Sequence, residues 1–260
     1  MNLDLEKINN QAWSHTKVVQ DYTHREAPIQ LPEAAIFMKY RDSISNARVL
    51  ELGCGGGRTA AILKQVAKEY RGIDYQPKMI QACRDRFSDD SCQLGDMRDL
   101  SRFANESFDF VLSSFNSLDY VSHDDRVKVW REVRRLLKPN GLFVFSSHNR
   151  NYEERINSPK LILCVNPITQ IKNLVLFFIC LRNLSRNKEW EIENKEYAVR
   201  TDWAHDFQIL TYYVDKNSQI NEVGRNGFKI LEMYDTEGCL LQKDSEDQHS
   251  CWIYYVTQKI

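Results

Sequence analysis

Residues 47–60 read ARVLELGCGGGRTA. Val49, Leu50 and Leu52 form an apolar run that suits a buried strand. The run empties into a turn carrying Gly53, Gly55, Gly56 and Gly57. A helix-compatible stretch, Ala60 to Tyr70, follows. Glycines where a strand hands over to a helix turn the chain tightly and let backbone N–H groups reach a ligand at the positive end of the helix. Glu51 stands at the carboxyl end of the strand, where such a ligand lies in an open α/β sheet.

Downstream, strand and helix patterns alternate. Tyr70–Tyr75 reads as a second strand ending in Asp74, and Pro77 suits the first turn of a helix running to Phe87. Cys92–Asp96 and Phe108–Phe115 read as third and fourth strands. A charged helix from His123 to Leu137 carries an apolar stripe of Val127, Trp130, Val133, Leu136 and Leu137. Lys138-Pro139-Asn140-Gly141 stops it, and Gly141–Ser147 reads as a fifth strand. Such alternation predicts a doubly wound α/β fold, Rossmann-like, with a mostly parallel sheet covered on both faces. Upstream, residues 1–46 read as an amphipathic helical cover. Trp13, Val18 and Tyr22 share one face, as do Ala34, Phe37 and Met38, and Pro28 and Pro32 interrupt the stretch. This cover is either plain packing or a lid over the ligand.

The alternation breaks at 148–205, which is rich in Asn, Arg, Lys and Glu around the apolar block Leu174–Leu181. Eight apolar residues are too few to span a bilayer, which needs about 20. Flanking Lys172, Arg182, Arg186 and Lys188 allow a membrane-surface role for 161–184. The neutral overall charge favours a cap helix packed on the core or on a second copy of the chain, a homodimer. Ala198–Val214 then reads as strand, Val214–Gly227 as helix, and Lys229–Asp235 and Cys251–Lys259 as closing strands. The expected organisation is a cover (1–46), a binding core (47–149), an inserted cap for the acceptor (150–213) and a C-terminal completion of the sheet (214–260).

The 260 residues carry 35 basic and 36 acidic side chains, a net charge of −1. A nucleic-acid groove normally shows a basic excess, so no nucleic-acid partner is expected. Seven cysteines without C-x-x-C spacing suggest reduced thiols in a cytoplasmic protein, and no metal-ligand spacing is present. No basic start with an apolar follow-on marks a signal peptide.

The predicted strand ends supply a polar, acidic rim: Glu51, Gly53, Asp74, Tyr75, Asp96, Ser113–Asn116 and Ser147–Asn149. Asp74, about 20 residues past the glycines, is placed to accept hydrogen bonds from a ribose diol. The motifs VLELGCGGGRT, GIDYQPKMI, LGDMRDL, FDFVLSSFNSLDY and LLKPNGLFVFS, in this order, resemble those of the class I S-adenosylmethionine-dependent methyltransferases of small molecules. The resemblance runs over 47–149 and resumes more loosely from Val214. It implies a seven-stranded sheet whose last strand, Cys251–Lys259, is antiparallel. It implies S-adenosylmethionine as methyl donor and S-adenosylhomocysteine as product. By resemblance, Glu51, Gly53, Gly55 and Gly57 surround the methionine part of the donor and Asp74 holds the ribose. Tyr75, Met79, Asp96 and Met97 would lie at the adenine, and Ser113 on the floor.

Gly55–Ala60 also fits G-x-G-x-x-A, the fingerprint of an NAD(P)-dependent oxidoreductase, but that reading leaves Glu51, Gly95-Asp96 and the closing strands unexplained. A non-catalytic nucleotide-binding module is the other alternative. For methyl transfer, an acceptor hydroxyl or amine must lose a proton, and histidine is the usual base near neutrality. His148 follows the fifth strand and His205 precedes QILTYYV, while Tyr22 can close the site from the cover. No (D/N)-P-P-(Y/F) follows the fourth strand, and since the family the chain resembles uses that motif for exocyclic amides and adenine amines, the resemblance implies another acceptor. A small-molecule acceptor remains: a sugar, a sugar nucleotide, another metabolite or a lipid-linked precursor. Arg155, Arg200, Trp203 and His205, in and beside the insertion, are candidate acceptor contacts, with Leu174–Leu181 as an apolar roof.

Overall fold

The computed structural model describes residues 2–23 and 28–260. The chain opens with α1 (Asn2–Trp13), α2 (Thr16–Thr23), α3 (Leu31–Lys39) and α4 (Arg41–Ser45). An alternating core follows: β1 (Arg48–Leu52), α5 (Ala60–Val66), β2 (Glu69–Asp74), α6 (Pro77–Phe87), β3 (Cys92–Leu94), β4 (Phe108–Ser113), α7 (His123–Leu136) and β5 (Leu137–Asn149). After α8 (Pro167–Asn187) come β6 (Ile192–Glu193), β7 (Tyr197–Thr201), α9 (Ala204–Phe207) and β8 (Leu210–Val214). The chain closes with α10 (Lys216–Arg225), β9 (Phe228–Tyr234), β10 (Leu240–Leu241) and β11 (Trp252–Lys259).

The main sheet runs β10-β9-β11-β5-β4-β1-β2-β3. Strands β3, β2, β1, β4 and β5 are mutually parallel, and β11 lies antiparallel between β5 and β9. The strand order reverses between β1 and β4, and a ligand crevice opens at such a switch point. Eleven strands, rather than seven, make up the sheet among the described residues. The extra ones are β10 and the β6–β7–β8 meander, which joins through β8 to His148 and Asn149 at the tip of β5.

Two apolar layers sandwich the sheet. On one face Trp130 of α7 meets Phe143, Phe145 and Phe228 at ring separations of 5.2–5.4 Å. On the other, Ile36 and Ile44 pack with Leu63, Ile80 and the outer face of β1 and β4. Four local expectations shift. The helix after the glycines ends at Val66, not Tyr70, because Glu69 and Tyr70 pair with Arg48 and Val49 in the ladder. The fifth strand starts at Leu137, not Gly141, because Lys138–Gly141 is an irregular stretch within β5, with Asn140 at φ +63° and a register shift against β4. In α3 the buried residues are Pro32, Glu33 and Ile36, while Met38 is 79% exposed. In α7 the stripe is Val129, Trp130, Val133 and Leu136, and Val127 faces outward.

The apolar block of α8 does not pack on the core. Only Cys180, Asn183 and Asn187 of this 21-residue helix are buried.

Candidate active site

A cavity of about 410 Å³ opens where the strand ends meet α1 and α2. Its floor is the loop after β1. Gly55 takes φ +53°, a left-handed conformation that favours glycine. A Cβ built on it meets no protein atom within 4 Å and projects into open space. At Gly56 a Cβ would stand 2.5 Å from the Tyr22 carbonyl oxygen and 2.8 Å from Thr23 Cα. The missing side chain is what lets the end of α2 cross the loop.

Asp74 closes the loop from below. Its Oδ2 accepts from the Gly55 N–H at 3.0 Å and its Oδ1 from the Gln76 N–H at 2.8 Å. Burial pushes its carboxyl up from 3.8 to about 6, against the opposing pull of these two N–H groups. Glu51 is also buried and is raised to about 8, although Thr59 Oγ1 and Tyr70 Oη both donate to it. At neutral pH the floor therefore presents one ionised and one largely protonated carboxyl group.

Eight of the ten residues expected around the donor line the cavity: Glu51, Gly53, Gly55, Asp74, Tyr75, Met79, Asp96 and Met97. Gly57 and Ser113 fall outside the lining. Gly57 lies against Phe87 and Cys83. Ser113 Oγ shares a hydrogen bond with Ser117 Oγ at 2.7 Å, and the next residue, Ser114, faces the cavity. Side chains alternate along a strand, so a one-residue offset decides which serine is presented.

Of the proton-acceptor candidates, Tyr22 and His205 line the cavity, and Tyr22 Oη lies 3.2 Å from His205 Nε2. His148 does not line it. Its Nδ1 is 2.8 Å from Asp119 Oδ2, and its Nε2 sits 3.4 Å from Asn116 Nδ2 and 3.9 Å from Asp202 Oδ2. Asp119 is itself locked by the fully buried Arg126, which also bonds Glu222 and Gln219. Arg155 and Arg200 line a separate recess with Glu191 and Glu193, not the cavity. Neither Trp203 nor the expected roof, Leu174–Leu181, contributes to the cavity lining.

The roof comes from elsewhere. Trp13 packs edge-on against Tyr22, Tyr120 and His205 at 5.0, 4.9 and 5.5 Å. Its indole N–H, buried, has no hydrogen-bond partner among the described residues. Asn9 fastens α1 to β8, accepting from the Leu210 N–H at 3.0 Å and donating to the Leu210 carbonyl at 2.8 Å. Arg58, in the glycine loop, forks onto the buried carboxylate of Glu33 in α3. The guanidinium beside it holds Glu33 below the usual carboxylate range despite burial. Arg58 also stands over the Phe115 ring at 5.3 Å. The sequence reading singles out none of Asn9, Arg58 or Tyr120 as site residues, and it reaches Phe115 only within the Ser113–Asn116 strand end. The only local signal was Trp13 sharing a helical face with Tyr22.

The scattered cysteines also converge. Cys54, Cys83 and Cys92, all buried, bring their sulfurs within 4.8 Å of one another beneath the loop.

This cavity suits an adenosyl donor. It has an open cradle at Gly55, a carboxylate at the end of β2 for a diol, and the Met79 and Met97 thioethers with the Tyr75 ring as apolar surfaces for a base. A family model described as a methyltransferase domain matches residues 50–145. A fatty-acid O-methyltransferase of Mycolicibacterium smegmatis is 28% identical over 171 residues, covering 63% of this chain and 60% of that protein. A ubiquinone biosynthesis O-methyltransferase of Xanthomonas oryzae pv. oryzae is 28% identical over 142 residues, covering 53% of this chain and 56% of that protein. Both matches span less than two thirds of the relative's length. The fold is shared with Burkholderia thailandensis 1,6-didemethyltoxoflavin-N1-methyltransferase, solved with 1,6-didemethyltoxoflavin and S-adenosylhomocysteine bound. The TM-score is 0.61 at 13% identity, over 100% of this chain and 90% of that one. Residues 50–145 thus match a methyltransferase domain, and the fold around them is one shared with S-adenosylmethionine-dependent methyltransferases.

Proposed function

We propose that this protein methylates a hydroxyl oxygen of an uncharged small molecule with an aromatic or aliphatic body, and that the Tyr22–His205 pair receives the hydroxyl proton. The observation that carries the reading is the two-sided cavity. Glycine N–H groups and carboxyls occupy the strand-end side, and Trp13, Tyr22, Phe115, Tyr120 and His205 occupy the lid side. Both arginines in the lining are already committed to carboxylates, Arg58 to Glu33 and Arg98 to Asp96 and Asp125. Among the described residues of the lining, a phosphorylated acceptor such as a sugar nucleotide would meet no uncommitted cation. The names of the two relatives, O-methyltransferases of fatty acids and of ubiquinone biosynthesis, support an oxygen on a lipid-like body.

The donor, when bound, offers a methyl group on a sulfonium, which needs no covalent help from the protein. The residues of the chain have three tasks. Asp74 and the loop fix the donor. Trp13 and its aromatic neighbours exclude water and orient the acceptor, with the unpartnered indole N–H as one anchor. The proton leaves the acceptor oxygen for the imidazole of His205, held by the Tyr22 hydroxyl.

His205→Ala is expected to lower turnover by about 10²–10⁴-fold, with calorimetric affinity for S-adenosylhomocysteine unchanged within about twofold. A second reading has its own observation: Asp119 orients His148 as a carboxylate orients the imidazole of a catalytic dyad. If His148→Ala shows the large loss of turnover and His205→Ala does not, the proton goes to His148. Full turnover in both variants across pH 6–9 would exclude a histidine base.

A further inference from the structure

The segment 157–188 stands apart from the rest of the chain. It contains Lys160, Lys172, Arg182, Arg186 and Lys188, and all 36 acidic side chains lie elsewhere. None of the five cations pairs with a carboxylate among the described residues. Ile162, Leu163, Val165, Ile168, Ile171 and Phe178 each leave more than 60% of their surface exposed. Soluble chains scatter such residues singly, and a contiguous patch marks a contact surface.

The patch is built, not frayed. Asn166 caps α8 by accepting from the Ile168 and Thr169 N–H groups, and Pro167 occupies the first turn. Asn173 Nδ2 donates to the Ile162 carbonyl at 2.9 Å, and Gln170 Oε1 accepts from the Cys164 N–H at 2.8 Å. These bonds fold the apolar loop back onto the helix and hold its side chains outward. No helix among the described residues is long and apolar enough to cross a membrane. A capped, apolar, acid-free helix with lysine and arginine along it is instead suited to lie in a bilayer interface, with cationic heads reaching the phosphates.

We infer that residues 161–188 dock the protein on an anionic lipid bilayer surface. Charge complementarity selects this occupant. A second copy would set the same five cations against themselves, whereas an anionic leaflet attracts each of them. Docking is also wired to the cavity. At the buried end of α8, Asn183 Nδ2 donates to the Asp206 carbonyl at 2.9 Å, and Asn187 Nδ2 to those of Phe207 and Gln208 at 3.2 Å. These carbonyls belong to the left-handed turn His205–Phe207, with φ of +52°, +59° and +60°. Two side chains thus connect the lipid-facing helix to the turn that presents His205, which suits an acceptor drawn from the bilayer. Docking itself does not depend on the catalytic reading, and its test needs no acceptor.

The full chain is sedimented with vesicles of phosphatidylcholine containing phosphatidylglycerol, and with phosphatidylcholine alone. Binding to the anionic vesicles is expected to be at least tenfold tighter and to collapse near 1 M salt, where screening is nearly complete. Val165→Asp with Phe178→Asp should cut binding at least tenfold. Lys172→Glu with Arg182→Glu should abolish the preference for anionic lipid. All four positions are exposed, and unchanged S-adenosylhomocysteine affinity would report a folded protein. Absence of sedimentation with both vesicle types would overturn the inference. So would full binding by the double aspartate variant, or a dimer in velocity sedimentation that this variant dissolves.

Discussion

Replacing Asp74 with Asn tests the donor site through a property set by the fold. Burial raises this carboxyl to about 6. A raised acid is held in its neutral form, so the unliganded protein gives up stability as pH climbs through 6 and the group ionises. Ribose hydroxyls donating to the carboxylate would offset that cost, so binding should pull the pKa down and release a proton. With a free-state pKa of about 6 and a bound-state value below 5, linkage makes affinity about five- to tenfold weaker at pH 5 than at pH 7. The donor's own α-amino group, near 7.7–8.0, stays charged over this range, and Glu51, at about 8, stays largely protonated. Calorimetry with S-adenosylhomocysteine at pH 5, 6 and 7, in buffers of different ionisation enthalpy, reads both affinity and proton release. Asp74→Asn should flatten the pH dependence. Losing a charge-assisted pair of hydrogen bonds, about 1.5–3 kcal/mol, should weaken binding at pH 7 by roughly 10–150-fold. A flat wild-type profile, or the same slope in the Asn variant, would remove Asp74 from the donor site.

Two further substitutions separate fold from function. Arg58→Ala leaves Glu33 buried without its cationic partner, and a broken buried pair typically costs about 3–5 kcal/mol; a change below 1 kcal/mol in urea unfolding would show that the Ser114 and Tyr254 hydroxyls, which also donate to Glu33, suffice to hold the carboxylate. Valine at the neighbouring glycines should act differently: Gly55→Val fills open cavity and abolishes calorimetric donor binding, while Gly56→Val collides with the α2 backbone and additionally exposes Trp13 to solvent, read as a red-shifted tryptophan emission. Identical emission changes in both variants would contradict this division.

The parts of this architecture written locally were legible. Parallel strands buried on both faces are near-continuous apolar runs, and Pro77 marks a helix start that needs no tertiary information. The span Pro77–Phe87 is accordingly read from sequence as it stands in the fold. Asp74 was readable because its distance from the glycines is fixed by one β-α-β unit. What was hidden depends on partners far away. Tyr70 leaves the helical pattern because its hydroxyl reaches Glu51 and its backbone pairs with Val49. Arg58 looked like an unremarkable loop cation until Glu33, 25 residues upstream, was placed beneath it. In the sequence Leu174–Leu181 reads as a roof because a cover over the site needs an apolar underside to shut out water. Yet the helix's only buried residues include two asparagines, whose amides seek backbone carbonyls.

The same asymmetry divides the site itself. Every donor-side residue in the lining sits on a strand end, the turn after it or the first turn of α6, so its position follows from sheet register. The proposed acceptor side draws Phe115 and Tyr120 from the turn after β4, but its other members come from α1, α2 and the 204–207 turn, which the sheet does not fix. What fixes them is a small set of side-chain amides that bond to backbone: Asn9 to Leu210, Asn183 to Asp206, and Asn187 to Phe207 and Gln208. An amide that meets both the N–H and the carbonyl of one residue, as Asn9 does, substitutes for a missing strand partner and leaves little freedom of register. Those contacts can be rebuilt on another sequence without disturbing the donor cradle. A shared donor domain can therefore carry acceptor pockets of unrelated chemistry. On the proposed reading, acceptor identity is set by Trp13, Tyr22, Tyr120 and His205 rather than by the glycine loop.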